Sequence, residues 1–205
     1  SLDRSSYKCY FACMAKVSSA RENMLAAAAD LFRARGYDGI GIAELLERSC
    51  CPRGSLYFHF PGGKEQIGAE VLNGFAERTA ARFRELHESG VSLEKFIDLV
   101  FKTTAKESKE SDYFGSCPVA AIAAGFGAKD QLLADAVRNC FAAWEAVIAE
   151  AARARGMTEK NAAAFASAFL ASMEGAFVLS KAQRSPAPHI NASRALQALA
   201  AALTR

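Results

Sequence analysis

The chain has 205 residues, of which 51% are apolar and 23% are charged, and this ordinary balance excludes collagen-like, mucin-like and disordered proteins. Residues 1–64 carry nine Lys or Arg and six Asp or Glu, whereas the rest of the chain carries sixteen of each. The net charge of +3 therefore lies in the first third, as expected if that part contacts an anion such as DNA. No uninterrupted run of 18 apolar residues occurs, so we expect no membrane partner.

Residues 1–17 are predicted to be a poorly ordered N-terminal extension. Met14 begins a segment typical of a natural start, so residues 1–13 are interpreted as a tag, a vector scar or a misplaced start. They lack the apolar core of a signal peptide. Six cysteines occur without paired zinc-site spacing or the density of a secreted disulfide scaffold. We therefore expect reduced thiols, a cytoplasmic location and no metal or other cofactor.

Apolar residues at helical spacing predict a first helix that begins near residue 18 and ends at Gly36. A short helix with Ile42, Leu45 and Leu46 facing inward follows, and a break at 49–52 separates it from another short helix over 52–58. No stretch of useful length alternates between apolar and polar residues as a strand would, so the predicted fold class is all-α. Longer helices are predicted over 64–87, 92–109, 118–126, 129–155, 158–184 and 190–204.

Three helices in the first 60 residues, the last two joined by a tight turn, are the layout of a helix-turn-helix DNA reader. The segment GYDGIGIAELLERSCCPRGSLYFHFPGGKEQI (36–67) closely resembles the TetR family of bacterial transcriptional repressors. PRGSLY, HFPGGKEQ and the later Glu174-Gly-Ala176 are similar to the pattern of its LmrA/YxaF-like branch. The resemblance implies a helix-turn-helix DNA-binding domain over 18–64 and a larger ligand-binding and dimerisation domain over 65–205.

The recognition helix carries side chains suited to DNA. Arg53 can present its planar guanidinium to O6 and N7 of guanine, Gly54 permits close backbone approach, and Ser55 can reach a base edge or a phosphate. The resemblance implies phosphate contacts for Tyr57 and His59. Lys64 lies at the start of the following helix, where its charge and the free backbone N–H groups both favour a phosphate. On an unassigned helix each would more often be a solvated or structural side chain. The predicted DNA-binding residues are Arg53, Gly54, Ser55, Tyr57, His59 and Lys64.

Two positions depart from the family pattern. Cys50 stands where relatives usually have Gly, so we expect either a strained residue or a differently shaped turn. Ile40 stands where relatives commonly have Thr, and Ile40 can neither cap the second helix nor contact a phosphate. Losing one such polar contact costs on the order of 1 kcal/mol, so the predicted affinity for DNA is lower than is usual in the family.

Ten aromatic side chains lie within 88–205. Any single one is more often core, but together they can line a cavity between helices, and the resemblance implies such a pocket. Trp144 is favoured because its indole N–H needs a partner. The expected effector is small, apolar and aromatic. The predicted ligand-binding residues are Phe96, Phe114, Cys117, Trp144 and Phe177.

The last two helices are predicted to form a homodimer. Small residues follow one face of the first helix and leucines follow the second, and a monomer would expose both faces. Twofold symmetry places two recognition helices about 34 Å apart and predicts a palindromic operator on double-stranded DNA. The resemblance implies repression relieved by an effector. The predicted dimer residues are Ala168, Ser172, Gly175, Leu196, Leu199 and Leu203.

Two other functions are possible from the sequence. One is an all-α small-molecule-binding protein or enzyme with weakened DNA binding, although no Ser/His/Asp set, phosphate loop or HExxH motif is recognisable and we expect no enzyme. The other is a thiol switch at Cys50-Cys51, where Arg48 and Arg53 could lower a thiol pKa. Adjacent cysteines are poorly placed to bond each other, and buried cysteines often only pack.

Overall fold

The computed structural model describes residues 19–127 and 129–204, and the predicted extension over 1–17 lies outside them. The described residues form helices joined by turns and short connections, which confirms the all-α fold class. In chain order the helices are α1 Ser19–Arg35, α2 Ile42–Ser49, α3 Arg53–His59, α4 Gly63–Glu88, α5 Leu93–Glu110, α6 Pro118–Ala123, α7 Gln131–Arg153, α8 Glu159–Gln183 and α9 Ala187–Leu203.

The chain divides into two compact units. Of the described residues, the first unit contains 19–74 together with 121–127 and 129–137, and the second contains Phe75–Ala120 together with 138–204. One division between the units therefore falls inside α4. The functional boundary predicted between residues 64 and 65 stays a prediction.

The core of the first unit draws on its three short N-terminal helices. Met24 and Phe32 of α1, Leu45 of α2, Leu56 of α3 and Phe60 directly after α3 are completely buried. Removing each of these side chains from water contributes roughly 1.5–3 kcal/mol before entropy is counted. The spacing of apolar residues thus fixes which face of each short helix points inward.

Aromatic rings form the core of the second unit. Phe169 of α8 lies at the centre, with ring centroids 6.3 Å from Phe83, 6.0 Å from Phe96, 5.2 Å from Phe101 and 6.2 Å from Phe165. Edge-to-face and tilted pairs at these distances are favourable because the positive ring edge meets a negative ring face. The rings join α4, α5 and α8 in one apolar cluster.

Helix α8 is unusually apolar. An 18-residue window of it has a mean hydropathy of 1.6, so length and composition alone would permit it to cross a membrane. However, 44% of that window is buried inside the fold, and its buried members include Phe165 and Phe169. The apolar character of α8 therefore belongs in part to the core of the second unit.

A buried histidine joins α9 to α5. His189 Nδ1 lies 3.0 Å from the Thr104 hydroxyl, and Nε2 lies 3.0 Å from the Ser108 hydroxyl. The ring also meets the edge of Phe177, with centroids 4.9 Å apart. Burial lowers the pKa of His189 to about 4, so the ring is neutral near pH 7 and both nitrogens have partners.

We predict that His189→Ala lowers the free energy of unfolding at pH 7 by about 2–4 kcal/mol, because it opens a cavity and removes two buried hydrogen bonds. Urea unfolding measures this change. The lowered pKa means that the wild type loses stability as pH falls from 6.5 towards 4. That acid-induced loss should shrink in the variant, and an unchanged loss would show that another group causes it.

Candidate nucleic-acid interface

The turn between α2 and α3 is three residues long. Cys50 ends α2 with φ 54° and ψ 33°, in the left-handed region, and the buried Cys51 follows. Pro52 has an extended backbone and is the N-cap of α3. Of the two alternatives expected at position 50, the structure shows the strained residue. The cost of this conformation for an L-residue is roughly 1–2 kcal/mol.

Helix α3 buries one side chain and presents the others outward. Leu56 is inaccessible, whereas Tyr57 is 46% and Phe58 is 78% exposed. Arg53 and Gly54 are also exposed at the start of the helix. Two further members of the predicted DNA-binding set, Ser55 and His59, are half-buried. The structure thus brings the predicted residues of α3 onto one short element, and their contact with DNA stays a prediction.

Phe58 was not among the predicted site residues. A phenylalanine so exposed on a helix that otherwise buries Leu56 is unusual. The sequence did contain a signal, since Phe58 falls between Tyr57 and His59 and outside the spacing that marks Leu56 and Phe60 as core.

Lys64 lies at the second position of α4 and is half-buried. Its ammonium is 4.0 Å from the centroid of the Tyr37 ring, within range of a cation–π interaction. Burial lowers the pKa of Lys64, while Asp38 and Asp130 act in the opposite direction. The ammonium is therefore held near the start of α4, where free backbone N–H groups also favour an anion.

The start of α2 differs from the prediction. The helix begins at Ile42, and its N-cap is Gly41, which offers no side-chain acceptor to the first turn. Ile40 is buried core at 2% exposure. The assignment of the capping position to residue 40 is wrong by one residue, because the chain enters the helix one position later. A glycine in place of a capping side chain costs only a few tenths of a kcal/mol.

The cysteines differ in state. Cys51, Cys117 and Cys140 are buried and lie outside any disulfide, whereas Cys50 is disulfide-bonded. The expectation of reduced thiols is therefore wrong for Cys50. Among the residues that the structure describes, no group of three or more His, Cys, Asp or Glu side chains could hold a metal ion.

The reason for favouring Trp144 as a ligand contact is wrong. Its indole N–H donates to the backbone carbonyl of Ala76 at 3.0 Å, and the side chain is 1% exposed. Phe75, Phe83 and Phe141 surround it with centroid distances of 5.8, 6.5 and 5.8 Å. The N–H thus has an internal partner.

The remaining predicted ligand residues lie in different surroundings. Phe96 belongs to the aromatic core around Phe169 and is completely buried. Phe114 is exposed, whereas Cys117 and Phe177 are buried. Their roles as ligand contacts stay predictions.

Glu174 of α8, the first residue of the segment Glu174-Gly-Ala176, is chemically unusual. Both carboxyl oxygens are buried, and neither accepts an N–H or O–H hydrogen bond in the described part of the chain. Burial raises the pKa of Glu174 to about 7, and the Cys117 thiol beside it opposes that rise. Burial and the neighbouring Glu174 in turn raise the pKa of Cys117.

The predicted dimer residues lie on α8 and α9. Ala168, Ser172 and Gly175 of α8 are half-buried, as are Leu199 and Leu203 of α9.

Leu196 is different, because it is only 2% exposed within its own chain. Its predicted place on a dimer face is wrong, since its side chain is already core. Larger apolar surface is offered by Val178 and Leu179 of α8 at 67% and 51% exposure, and by Ile190 of α9 at 45%.

The helix-turn-helix arrangement agrees with similarity to known proteins. Residues 24–71 match the family described as bacterial regulatory proteins, tetR family. Residues 92–195 match the transcriptional regulator LmrA/YxaF-like C-terminal domain. The HTH-type transcriptional regulator LmrA of Bacillus subtilis is 30% identical over 173 residues, covering 84% of this chain and 92% of that protein.

The chain is therefore a transcriptional regulator with an N-terminal helix-turn-helix. It belongs to the TetR family and, within it, to the LmrA/YxaF-like group, which confirms the resemblance seen in the sequence.

Solved structures share the fold. A regulatory protein TetR from Rhodobacter sphaeroides superposes with a TM-score of 0.77 at 22% identity, covering 87% of this chain and 97% of that one. A cysteine mutant of CifR, in complex with 26-base-pair double-strand operator DNA, superposes with a TM-score of 0.73 at 22% identity, covering 87% and 96%. At this identity the similarity shows the fold alone.

We predict that Glu174→Gln flattens the pH dependence of stability. Because the pKa is about 7 in the folded chain and ordinarily 4.5, the folded state holds this proton more tightly. Stability is therefore lost as pH rises from 4.5 through 7, by an amount of about 3 kcal/mol.

Urea unfolding of both proteins at pH 5 to 8 tests this prediction. Other titrating groups are common to both, so the difference between the two curves isolates Glu174. Parallel curves would contradict its titration.

Proposed function

We propose that this regulator is a repressor that binds a palindromic operator as a homodimer and releases it when a small, mainly apolar effector binds. The observation that carries the proposal is α3, whose buried Leu56 leaves Arg53, Tyr57 and Phe58 exposed together. The operator complex of the similarly folded CifR supports this use of the fold. A protein of this function acts in the bacterial cytoplasm, where the DNA lies.

The residues of the interface have distinct roles. The N-terminal end of α3 enters the major groove, where Arg53 donates to guanine O6 and N7. The exposed Gly54 permits close approach, and Ser55 donates to a base edge or a phosphate. Tyr57 and His59 bind flanking phosphates, and Phe58 adds an apolar contact to a thymine methyl or a sugar.

Lys64 contributes a phosphate contact from the start of α4. Its contact with Tyr37 limits the freedom of the side chain, so less conformational entropy is lost on binding. Phosphate contacts of this kind position the protein without reading sequence.

The homodimer uses the outer faces of α8 and α9. Ala168, Ser172 and Gly175 allow close approach of helices, while Val178 and Leu179 supply apolar area. A soluble monomer would leave that area in water. Twofold pairing presents two recognition helices to half-sites about one turn of DNA apart.

The effector acts by preferring one of two conformations of the dimer, with a coupling of typically ~1–3 kcal/mol. Helix α4 is the continuous element that begins beside the reading helix and extends into the second unit. A shift of α4 that changes the spacing of the reading helices lowers the affinity for the operator.

A second candidate is a small-molecule-binding protein with weakened DNA affinity. The left-handed Cys50 and the uncapped start of α2 at Gly41 favour it, since both affect the reading elements. Selection of genomic fragments by the purified protein at about 0.1 M salt separates the two, because nonspecific phosphate binding falls steeply with salt. Enrichment of a palindrome supports the repressor, and no enrichment supports the alternative.

Two variants test the roles of Arg53 and Lys64 on the selected operator. Arg53→Ala should cost ~1–3 kcal/mol and relax preference at one base-pair position. Lys64→Ala should weaken binding to all sequences alike and reduce the slope of log affinity against log salt by about 1.

Fluorescence anisotropy over a set of single-base operator variants and salt concentrations measures both effects. Lys106→Ala is the matched control, because this exposed lysine lies on α5 in the second unit. Equal behaviour of the Arg53 and Lys64 variants across sequences would refute the division of roles.

Leu179→Lys should convert the dimer to a monomer, because it places an unpaired positive charge in the proposed apolar interface of each protomer. Light scattering after gel filtration measures the mass. Leu132→Lys is the control, since Leu132 has similar exposure (47%) and lies in the first unit. A dimer that survives Leu179→Lys would place the interface elsewhere.

A further inference from the structure

Helix α8 carries a buried carboxyl group that has no strong polar partner in the described part of the chain. Neither oxygen of Glu174 accepts an N–H or O–H hydrogen bond. The group beside it is the Cys117 thiol, which is only a weak donor. Because unpaired buried polar groups oppose folding, a donor supplied from outside the chain would relieve an unfavourable feature of the fold.

The electrostatic surroundings leave the carboxyl group uncompensated. Burial is the main influence on its pKa, which is about 7, and no Lys, Arg or His among the described residues lowers it. Near neutral pH the group is therefore divided between the acid and the carboxylate. Both forms retain an acceptor oxygen, and the carboxylate also attracts a cation.

The side chains next to Glu174 along α8 are buried and apolar. Leu170 and Phe177 lie one helical turn on either side of Glu174 on α8, and they are 5% and 7% exposed. The Cys117 side chain is 3% exposed. A molecule that fits these surroundings is mainly apolar and carries one polar group that can donate a hydrogen bond.

The connection 111–117, between α5 and α6, reaches from the surface to this carboxyl group. At its outer end the exposed Arg184 donates to both carboxyl oxygens of Asp112, at 2.7 and 2.8 Å. Asp112 and Tyr113 have φ of 50° and 62°, a conformation that disfavours L-residues. At its inner end lies Cys117, against Glu174. Displacement of this connection would uncover the carboxyl group.

We infer that Glu174 is the polar anchor of the effector site and that the effector is a mainly apolar molecule presenting an amine or hydroxyl donor to its carboxyl group. This inference rests on the proposed function, because a bound molecule is an effector only if it controls operator binding. It refines the apolar ligand expected from the sequence. The connection 111–117 covers the bound molecule.

Three probes with the same bicyclic ring body test this inference: 1-naphthylmethylamine is a cationic donor, 2-naphthol is a neutral donor and 2-methylnaphthalene has no donor. Binding to the full chain without DNA is measured by calorimetry and by the fluorescence of Trp144, the only tryptophan. At least one donor probe should bind about tenfold more tightly than 2-methylnaphthalene.

Variants at Glu174 identify the anchor and the kind of donor. Glu174→Met should abolish the preference for donor probes. Glu174→Gln keeps an acceptor oxygen but no charge, so it should retain a preference for 2-naphthol and lose one for 1-naphthylmethylamine. Glu159→Gln, an exposed position on the same helix, is the matched control. Thermal unfolding confirms that each variant is folded.

The inference is overturned if the three probes bind equally, if no donor probe binds at millimolar concentration, or if folded Glu174→Gln and Glu174→Met proteins match the control. Operator binding is measured separately by anisotropy. A donor preference that depends on Glu174, in a protein that binds no operator, would reject the proposed repressor function and leave the ligand site intact. Operator binding without a donor preference would reject the ligand site at Glu174 and leave the proposed repressor function intact.

Discussion

The burial of two side chains stabilises helix α3 and fixes which of its residues face outward. Helix α3 has only seven residues, and a helix this short is unstable in water on its own. It is held by Leu56 and Phe60, both completely buried in the first unit. Because these anchors lie four residues apart on one face, they also decide that Arg53, Tyr57 and Phe58 point outward. Recognition therefore depends on core packing before it depends on any polar contact.

Local patterns explain why the sequence predicted so much of the fold. Apolar spacing located the helices, and a Gly or Pro marked most of the places where they end. The predicted DNA-binding residues came from one contiguous segment, and their contacts with DNA stay predictions. The glycine usual at position 50 left two outcomes open, a strained Cys50 or a differently shaped turn, and the left-handed backbone of Cys50 selects the first. The start of α2 was placed one residue early because Ile40 and Gly41 both precede the helical pattern, and only the hydrogen bonds show which of them is the cap.

Contacts distant in sequence explain what the sequence did not reveal. Trp144 finds its acceptor at Ala76, 68 residues away, and His189 finds its partners more than 80 residues away on α5. The helical spacing of Leu196 is the same whether its side chain faces the core of its own chain or a partner, so the sequence alone does not distinguish the two. Glu174 shows the opposite case from His189: both are buried, but only the histidine has its polar atoms paired. No local pattern separates a satisfied buried group from an unsatisfied one.

The conformation of Cys50 has a consequence for how this family varies over time. A glycine codon becomes a cysteine codon by a single base change, and the left-handed turn accepts the new side chain at a cost of roughly 1–2 kcal/mol. A domain with a few kcal/mol of stability to spare tolerates such a substitution without losing its shape. The turn is thus open to genetic drift at the one position where its backbone most favours glycine. A search pattern that required glycine there would overlook regulators such as this one.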